Sequence, residues 1–221
     1  DIRNLITLED VVEELGYGPN GGLIYCLEFL VNNMDWFEEE LENYEDDYLI
    51  IDCPGQIELY THFPIMKRIV EALQRLNYNV CGVYCLDSQF IEDSSKFFAG
   101  VMSAMSAMVQ LEIPHINVMT KMDLLGKKQN NPEMERYFDP DPTLLLEDVN
   151  AKTRPKFHDL NEALVRLIEE YNMVSFVPLN IYDEDSVNLV LSQIDNAIQY
   201  GEDLEPKEPK DVEGEVVFED E

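Results

Sequence analysis

Basic side chains are scarce in this chain. Against 46 aspartates and glutamates its 221 residues set only 15 lysines and arginines, a formal net charge of −31. No large basic face can form, which excludes a protein that grips nucleic acid through phosphates or rests on an anionic membrane surface. Long apolar runs are missing as well. No stretch reaches the roughly 20 residues that span a bilayer, and no signal-peptide pattern opens the chain. Cys26, Cys53, Cys81 and Cys85 contain no CxxC pair, and His62, His115 and His158 stand far apart, so a structural zinc site is disfavoured. The expected state is free, buried thiols in a reducing, intracellular compartment. Cys81 and Cys85, four apart in what reads as a strand, share one face. The first residue is Asp1 rather than Met. The chain is therefore expected to be a fragment or a processed form.

What is present suffices for a core. At 45% hydrophobic and 28% charged residues, disorder of the whole chain is excluded, and the length fits one domain with an appendage. Residues 23–41 place Leu23, Leu27, Leu30, Met34 and Leu41 near helical spacing, which predicts one long amphipathic helix with an acidic end that reads as a solvated face. Four apolar segments follow, at 48–52 (YLIID), 80–87 (VCGVYCLD), 115–121 (HINVMTK) and 174–179 (VSFVPL). They are rich in β-branched and aromatic residues without strict alternation, as strands covered on both faces are. Helical patterns separate them at about 59–76, 89–112 and 155–171, with another at 184–199. The alternation predicts an α/β fold: a mostly parallel sheet with helices on both sides and a ligand beyond the carboxyl ends of its strands. The polar stretch 126–158 reads as an insertion of short helices and loops. Residues 201–221, with ten acidic and two basic side chains, read as a disordered acidic tail. The Met102, Met105 and Met108 stripe reads as core packing, with a dimer interface as the alternative.

Three motifs carry chemistry. Asp52-Cys53-Pro54-Gly55-Gln56 closes the YLIID segment. An aspartate there can hold Mg²⁺ through its water shell, Gly55 lets a backbone N–H approach a γ-phosphate, and Gln56 can orient a water for in-line attack. Alone, the pattern is equally a tight turn after a strand. Thr120-Lys121-Met122-Asp123 follows the 115–121 segment. A carboxylate at Asp123 can accept from guanine N1–H and its exocyclic amine, a donor pair that adenine lacks. The third motif, Gly18-Pro19-Asn20, precedes the long helix, where Asn20 would serve as a helix cap.

The GPN triplet, the DCPGQIELYTH run at 52–62 and TKMDLL at 120–125 together resemble the GPN-loop GTPases over nearly the whole chain. The resemblance implies a P-loop NTPase-like, doubly wound fold, truncated at its N-terminus, over residues 1–200. It implies GTP and Mg²⁺ as ligands, with Asp52 on the metal. Gly18, Pro19, Asn20, Gly55, Thr120, Lys121 and Asp123 would bind nucleotide, and Gln56, Glu58 and Asn20 would serve catalysis. Asp1-Ile2-Arg3 resembles the family's switch segment, and Pro178 and Leu179 fall where a last base-contacting loop belongs. The implied partners are a paralogous GPN-loop GTPase as dimer partner and RNA polymerase II subunits or their assembly factors. The implied setting is the cytoplasm, with shuttling to the nucleus.

One family motif does not occur. The phosphate-binding loop, GxxxxGK followed by Ser or Thr, has no match; the single Gly-Lys pair, Gly126-Lys127, is followed by Lys128. That loop normally cradles the triphosphate with backbone N–H groups, so this chain alone is expected to bind GTP poorly, with Arg3 and Lys121 as the nearby compensating cations. An unpaired sheet edge and a need for a partner are also expected. The alternatives are a nucleotide-free scaffold or assembly chaperone, and an ATPase of the same broad fold.

Overall fold

The computed structural model describes residues 1–44, 48–130, 134–170 and 174–202. A helical first part precedes the sheet. Helix α1 (Leu8–Leu15) is capped by Thr7, whose Oγ1 accepts from the Asp10 N–H at 3.2 Å, and ends at Gly16 with a left-handed φ of 69°. Helix α2 (Pro19–Asn32) starts with proline at its first position, where a missing N–H costs nothing. The two helices approach closely, since a Cβ on Gly22 would lie 2.8 Å from Leu8 Cδ1.

The single helix expected over 23–41 is two. Asn33 leaves helical geometry (φ −123°, ψ 45°), and its Nδ2 donates to the Phe29 carbonyl at 2.7 Å. That bond takes the acceptor a continuing helix would offer to its own backbone. Helix α3 (Met34–Leu41) starts again beyond it. Helices α4 (Glu58–Thr61) and α5 (Ile65–Arg75) are divided by Pro64, which lacks the N–H a continuous helix needs. Ile65, Met66, Ile69 and Leu73 of α5 pack with Leu27 and Leu30 of α2 and the fully buried Leu59 of α4 into one apolar cluster.

The sheet follows in strict alternation. Strand β1 (Gly82–Asp87) leads through helix α6 (Ser94–Leu111) to β2 (His115–Thr120). Helices α7 (Glu135–Phe138), α8 (Pro142–Lys152) and α9 (His158–Glu170) then lead to β3 (Phe176–Pro178), and α10 (Glu184–Ala197) closes the described chain. All pairings are parallel in the order β1-β2-β3, with Gly82 opposite His115, Asp87 opposite Thr120 and Met119 opposite Pro178. Leu86, Met119 and Phe176 point to one face, where Phe97 and Val101 of α6, Leu145 and Val149 of α8 and Val165 and Ile168 of α9 complete the main core. Ile116, Val118 and Val177 point to the other face and meet Val190 of α10. Helices on both faces of a parallel sheet make the doubly wound α/β architecture that the alternation predicts.

Two further expectations fail. Residues 48–52 do not join the sheet. They form no regular element and carry no ladder among the described residues, and Ile50 is 89% exposed. β-branched composition favours a pleated chain, but a strand persists only where a neighbour takes its N–H and C=O groups. Nor are the thiols uniformly buried: Cys26 is buried, Cys53 and Cys81 are half-buried and Cys85 is exposed on the β1 edge. All four are free, and burial raises each thiol pKa, that of Cys81 to about 11. Their nucleophilic thiolate is therefore scarce at neutral pH. The methionine stripe is core: Met105 is buried, and Met102 and Met108 pack against the same cluster. The acidic tail lies outside the described residues from residue 203 onward, as do 45–47 of the acidic run.

Phe97 is 1% exposed and stands edge-on to Tyr137 at 5.0 Å. Phe97→Ala should cost about 3–5 kcal/mol in urea unfolding, the range for a large aromatic lost from a packed core. His115 tests the sheet electrostatically. Burial holds its pKa below the ordinary 6.5, an effect the Asn117 side chain partly offsets. The folded protein therefore resists a proton that the unfolded chain accepts. The stability this histidine contributes is complete above its unfolded pKa and is lost as pH falls below it. The urea midpoint should fall from pH 7 to pH 5, and His115→Gln should flatten that part of the profile.

Candidate functional site

The sequence-predicted residues gather in two groups. In the first, Gly18 is the N-cap of α2 with Pro19 and Asn20 in its first turn, so Asn20 is not the cap it was expected to be. Capping needs the residue before the helix, and Pro19 already occupies the first helical position. The Asn20 side chain is instead directed across space, where its Oδ1 accepts from Gln56 Nε2 at 2.9 Å. The GPN triplet and the turn after Asp52 thus meet through one hydrogen bond.

That turn is closed from within. Leu59 is buried beneath it, and the Tyr60 hydroxyl donates to the Pro54 carbonyl. Burial first, then Cys53 and Asp52 nearby, raise the Tyr60 pKa, so the phenol stays a donor. Gly55 is exposed with open space where a Cβ would stand, and Glu58 is exposed at the start of α4. Asp52 is exposed, and no ion pair engages its carboxylate among the described residues. Its donor chemistry suits Mg²⁺, which takes one or two hard carboxylates and keeps several waters. Among the described residues no three His, Cys, Asp or Glu side chains cluster as a metal site, so Mg²⁺ at Asp52 would rest on few protein carboxylates and on water.

The second group lies at the carboxyl end of the sheet, where ligands of doubly wound folds sit. Asp87 ends β1 and Thr120 ends β2 on the same rung. Lys121 follows with a left-handed φ of 58°. Its Nζ donates to Asp87 Oδ2 at 2.6 Å, and its carbonyl accepts from Ser88 Oγ at 2.8 Å. Burial alone would raise the Asp87 carboxyl, but the bond from Lys121, the N–H of Gln89 and the Lys121 charge outweigh it and hold it below its usual range. Asp123 is half-buried in the turn beyond. Leu179 flanks this turn: its carbonyl accepts from the Met122 N–H at 3.2 Å and its own N–H donates to Met119 at 2.8 Å. Ser186 of α10 steadies the loop after β3, its Oγ donating to the Pro178 carbonyl at 3.1 Å and accepting from the Asn180 N–H at 2.9 Å.

Among the described residues no hydrogen bond or ion pair joins the two groups. Because 48–52 is not a strand, Asp52 is not a strand-tip residue, as it was expected to be. The two candidate cations are both committed: Arg3 pairs with Asp1 at 2.6 Å and Lys121 with Asp87 at 2.6 Å. A groove of about 580 Å³ lined by Val31, Met34, Arg68, Glu71, Gln74 and Arg75 includes none of the predicted site residues. Tyr60, Ser88 and Ser186 escaped sequence reasoning, although Tyr60 lies inside the DCPGQIELYTH run and Ser88 directly follows the aspartate ending β1.

The fold is shared with a solved GTPase from Pyrococcus abyssi in its apo form, PAB0955, at a TM-score of 0.69 and 21% identity over 88% of this chain and 77% of that one. A doubly wound, parallel α/β fold is thus the class to which the geometry belongs. A family model described as a conserved hypothetical ATP binding protein matches residues 1–200. GPN-loop GTPase 3 of Mycosarcoma maydis is 60% identical over 96% of the chain and 79% of that protein. The Schizosaccharomyces pombe GPN-loop GTPase 3 is 56% identical over 100% of the chain and 81% of that protein, and the Dictyostelium discoideum one 54% over 95% and 73%. The chain belongs to this family of GPN-loop GTPases.

The Asn20–Gln56 bond can be measured directly. A double-mutant cycle with Asn20→Ala and Gln56→Ala should return a coupling of about 0.5–1 kcal/mol in urea unfolding, the net worth of an exposed side-chain hydrogen bond. Strict additivity would show that the contact contributes nothing.

Proposed function

We propose that the full-length protein binds GTP with Mg²⁺ and hydrolyses it. The observation that carries this reading is the 2.9 Å bond between Gln56 and Asn20, which joins two motifs 36 residues apart into one surface. On it, Asp52 would hold the metal, which when bound supplies charge neutralisation to the phosphates. Gly55 offers its N–H where no side chain intervenes. Gln56 orients the attacking water, Glu58 assists it, and Gly18, Pro19 and Asn20 form the loop beside them. Thr120, Lys121 and Asp123 take the base. The Asp123 carboxylate pairs with the two guanine donors, and an adenine in that place would leave it unsatisfied. This favours GTP over the ATP of the family description.

The wider setting follows from the family resemblance. We place the protein as a factor in assembly and nuclear import of RNA polymerase II, acting from the cytoplasm as a dimer with a paralogous GPN-loop GTPase. The strongly acidic surface supports contact with basic protein partners and none with nucleic acid or membrane. Among the described residues no helix is long and apolar enough to cross a membrane. One observation favours a second reading, a scaffold that works without nucleotide: Arg3 and Lys121 are both neutralised by carboxylates of their own chain.

Single-turnover hydrolysis and binding separate these readings. Gln56→Leu should lower the hydrolysis rate at least about a hundredfold with GTP affinity kept, as loss of a water-positioning group does. Asp123→Ala should weaken GTP at least about tenfold and leave ATP unchanged. Variants that lose hydrolysis but still support polymerase assembly would establish the scaffold instead.

A further inference from the structure

We propose that Asp87 and Ser88, at the carboxyl end of β1, are positioning residues for the base-recognition turn Lys121–Asp123 and so set its discrimination among purine bases. The inference rests on the guanine reading of Asp123 given above. Neither residue belongs to the three sequence motifs. Their effect runs through Lys121.

Lys121 holds a φ of 58°, a region in which a side-chain-bearing residue persists only when its surroundings hold it there. The surroundings are specific. Ser88 is fully buried, and its Oγ donates to the Lys121 carbonyl at 2.8 Å. The same carbonyl accepts from the Leu124 N–H at 3.1 Å, which closes the turn containing Asp123. Both lone pairs of that oxygen are therefore used, one by β1 and one by the turn itself. The Lys121 side chain is long and free to rotate, yet its ammonium is fixed at 2.6 Å from Asp87 Oδ2. Asp87 is itself fixed, since its Oδ1 accepts from the Gln89 N–H at 2.9 Å. Thr120 adds a third tie across the same pair of strands, donating to the Leu86 carbonyl at 3.3 Å. On the far side, the Met122 N–H reaches the Leu179 carbonyl, and the Met122 side chain is 1% exposed.

The turn is thus pinned from both neighbouring strands, and every pin on the β1 side comes from Leu86, Asp87 or Ser88. Two guanine donors demand a carboxylate in one orientation, because a hydrogen bond weakens steeply with misalignment. Releasing Lys121 would let Asp123 tilt. A tilted carboxylate can still meet one donor but not both, so the loss falls on the preference between bases more than on nucleotide binding as a whole.

The test is calorimetric binding of GTP, ITP and ATP to the full-length protein and to Ser88→Ala, Asp87→Asn and Asp123→Ala. ITP keeps the N1–H donor of guanine and lacks the exocyclic amine. Ser88→Ala and Asp87→Asn should each lower the GTP-over-ITP and GTP-over-ATP preferences about tenfold, with ATP affinity unchanged, the effect of one misaligned hydrogen bond to a charged group. A merely structural role would lower all three affinities together and leave the ratios unmoved. Folded variants whose ratios stay within about twofold of the parent would overturn the inference, while loss of preference in Asp123→Ala would keep the guanine reading standing. A parent without preference for GTP, or an Asp123→Ala protein that retains it, would overturn the guanine reading and the inference with it. Should Ser88→Ala fail to fold, Asp87→Asn decides alone, because its side chain is partly exposed.

Discussion

The parallel register of β1 and β2 is the constraint on which the rest depends. With Gly82 opposite His115, six residues on each strand run in step until Asp87 and Thr120 stand side by side at the carboxyl edge. A slip of one residue would exchange the faces of every side chain. It would lift Leu86 and Met119 out of the core they share with Phe97 and Val101. The same slip would part Asp87 from Lys121 and Ser88 from the Lys121 carbonyl. Core packing and site geometry are therefore enforced by one ladder. The strained backbone at Lys121 is tolerated because the apolar burial on both faces of the sheet outweighs its cost.

The first group of site residues depends on a different support. Asn20 and Gln56 belong to segments outside the sheet, held by α2, α4 and α5 through Leu27, Leu30, Leu59 and Ile69. Their contact is a single exposed hydrogen bond on a helix start and a turn, whereas the Lys121 turn is tied by several bonds to ordered strands. A region with few ties opens more readily than one with many. The group around Asn20 and Gln56 is accordingly the adaptable one, and the turn after Lys121 the fixed one.

Charge gives a related contrast. In a chain of net charge −31, Arg3 and Lys121 are each matched to a carboxylate of their own chain. Neither Arg3 nor Lys121 is thus left as an uncommitted cation.

Much of this was legible in the sequence because it depends on local pattern. Alternating apolar and helical segments announced the doubly wound sheet, and three of the four expected strands formed within a residue or two of their expected spans. The methionine stripe declared its core face by helical spacing alone. Motif residues were readable because chemistry restricts which side chains can do the work. What the sequence could not show were outcomes settled by neighbours in space. YLIID has the composition of a strand but, among the described residues, no strand beside it. Asn33 breaks a helix because its amide finds the Phe29 carbonyl, and Asn20, inside the first turn of α2 and not at its cap, reaches Gln56. Ser88 reads as an ordinary small residue until the ladder sets it beneath Lys121. Periodicity and side-chain chemistry belong to the chain itself; which donor meets which acceptor is decided only when segments far apart in sequence compete for the same groups.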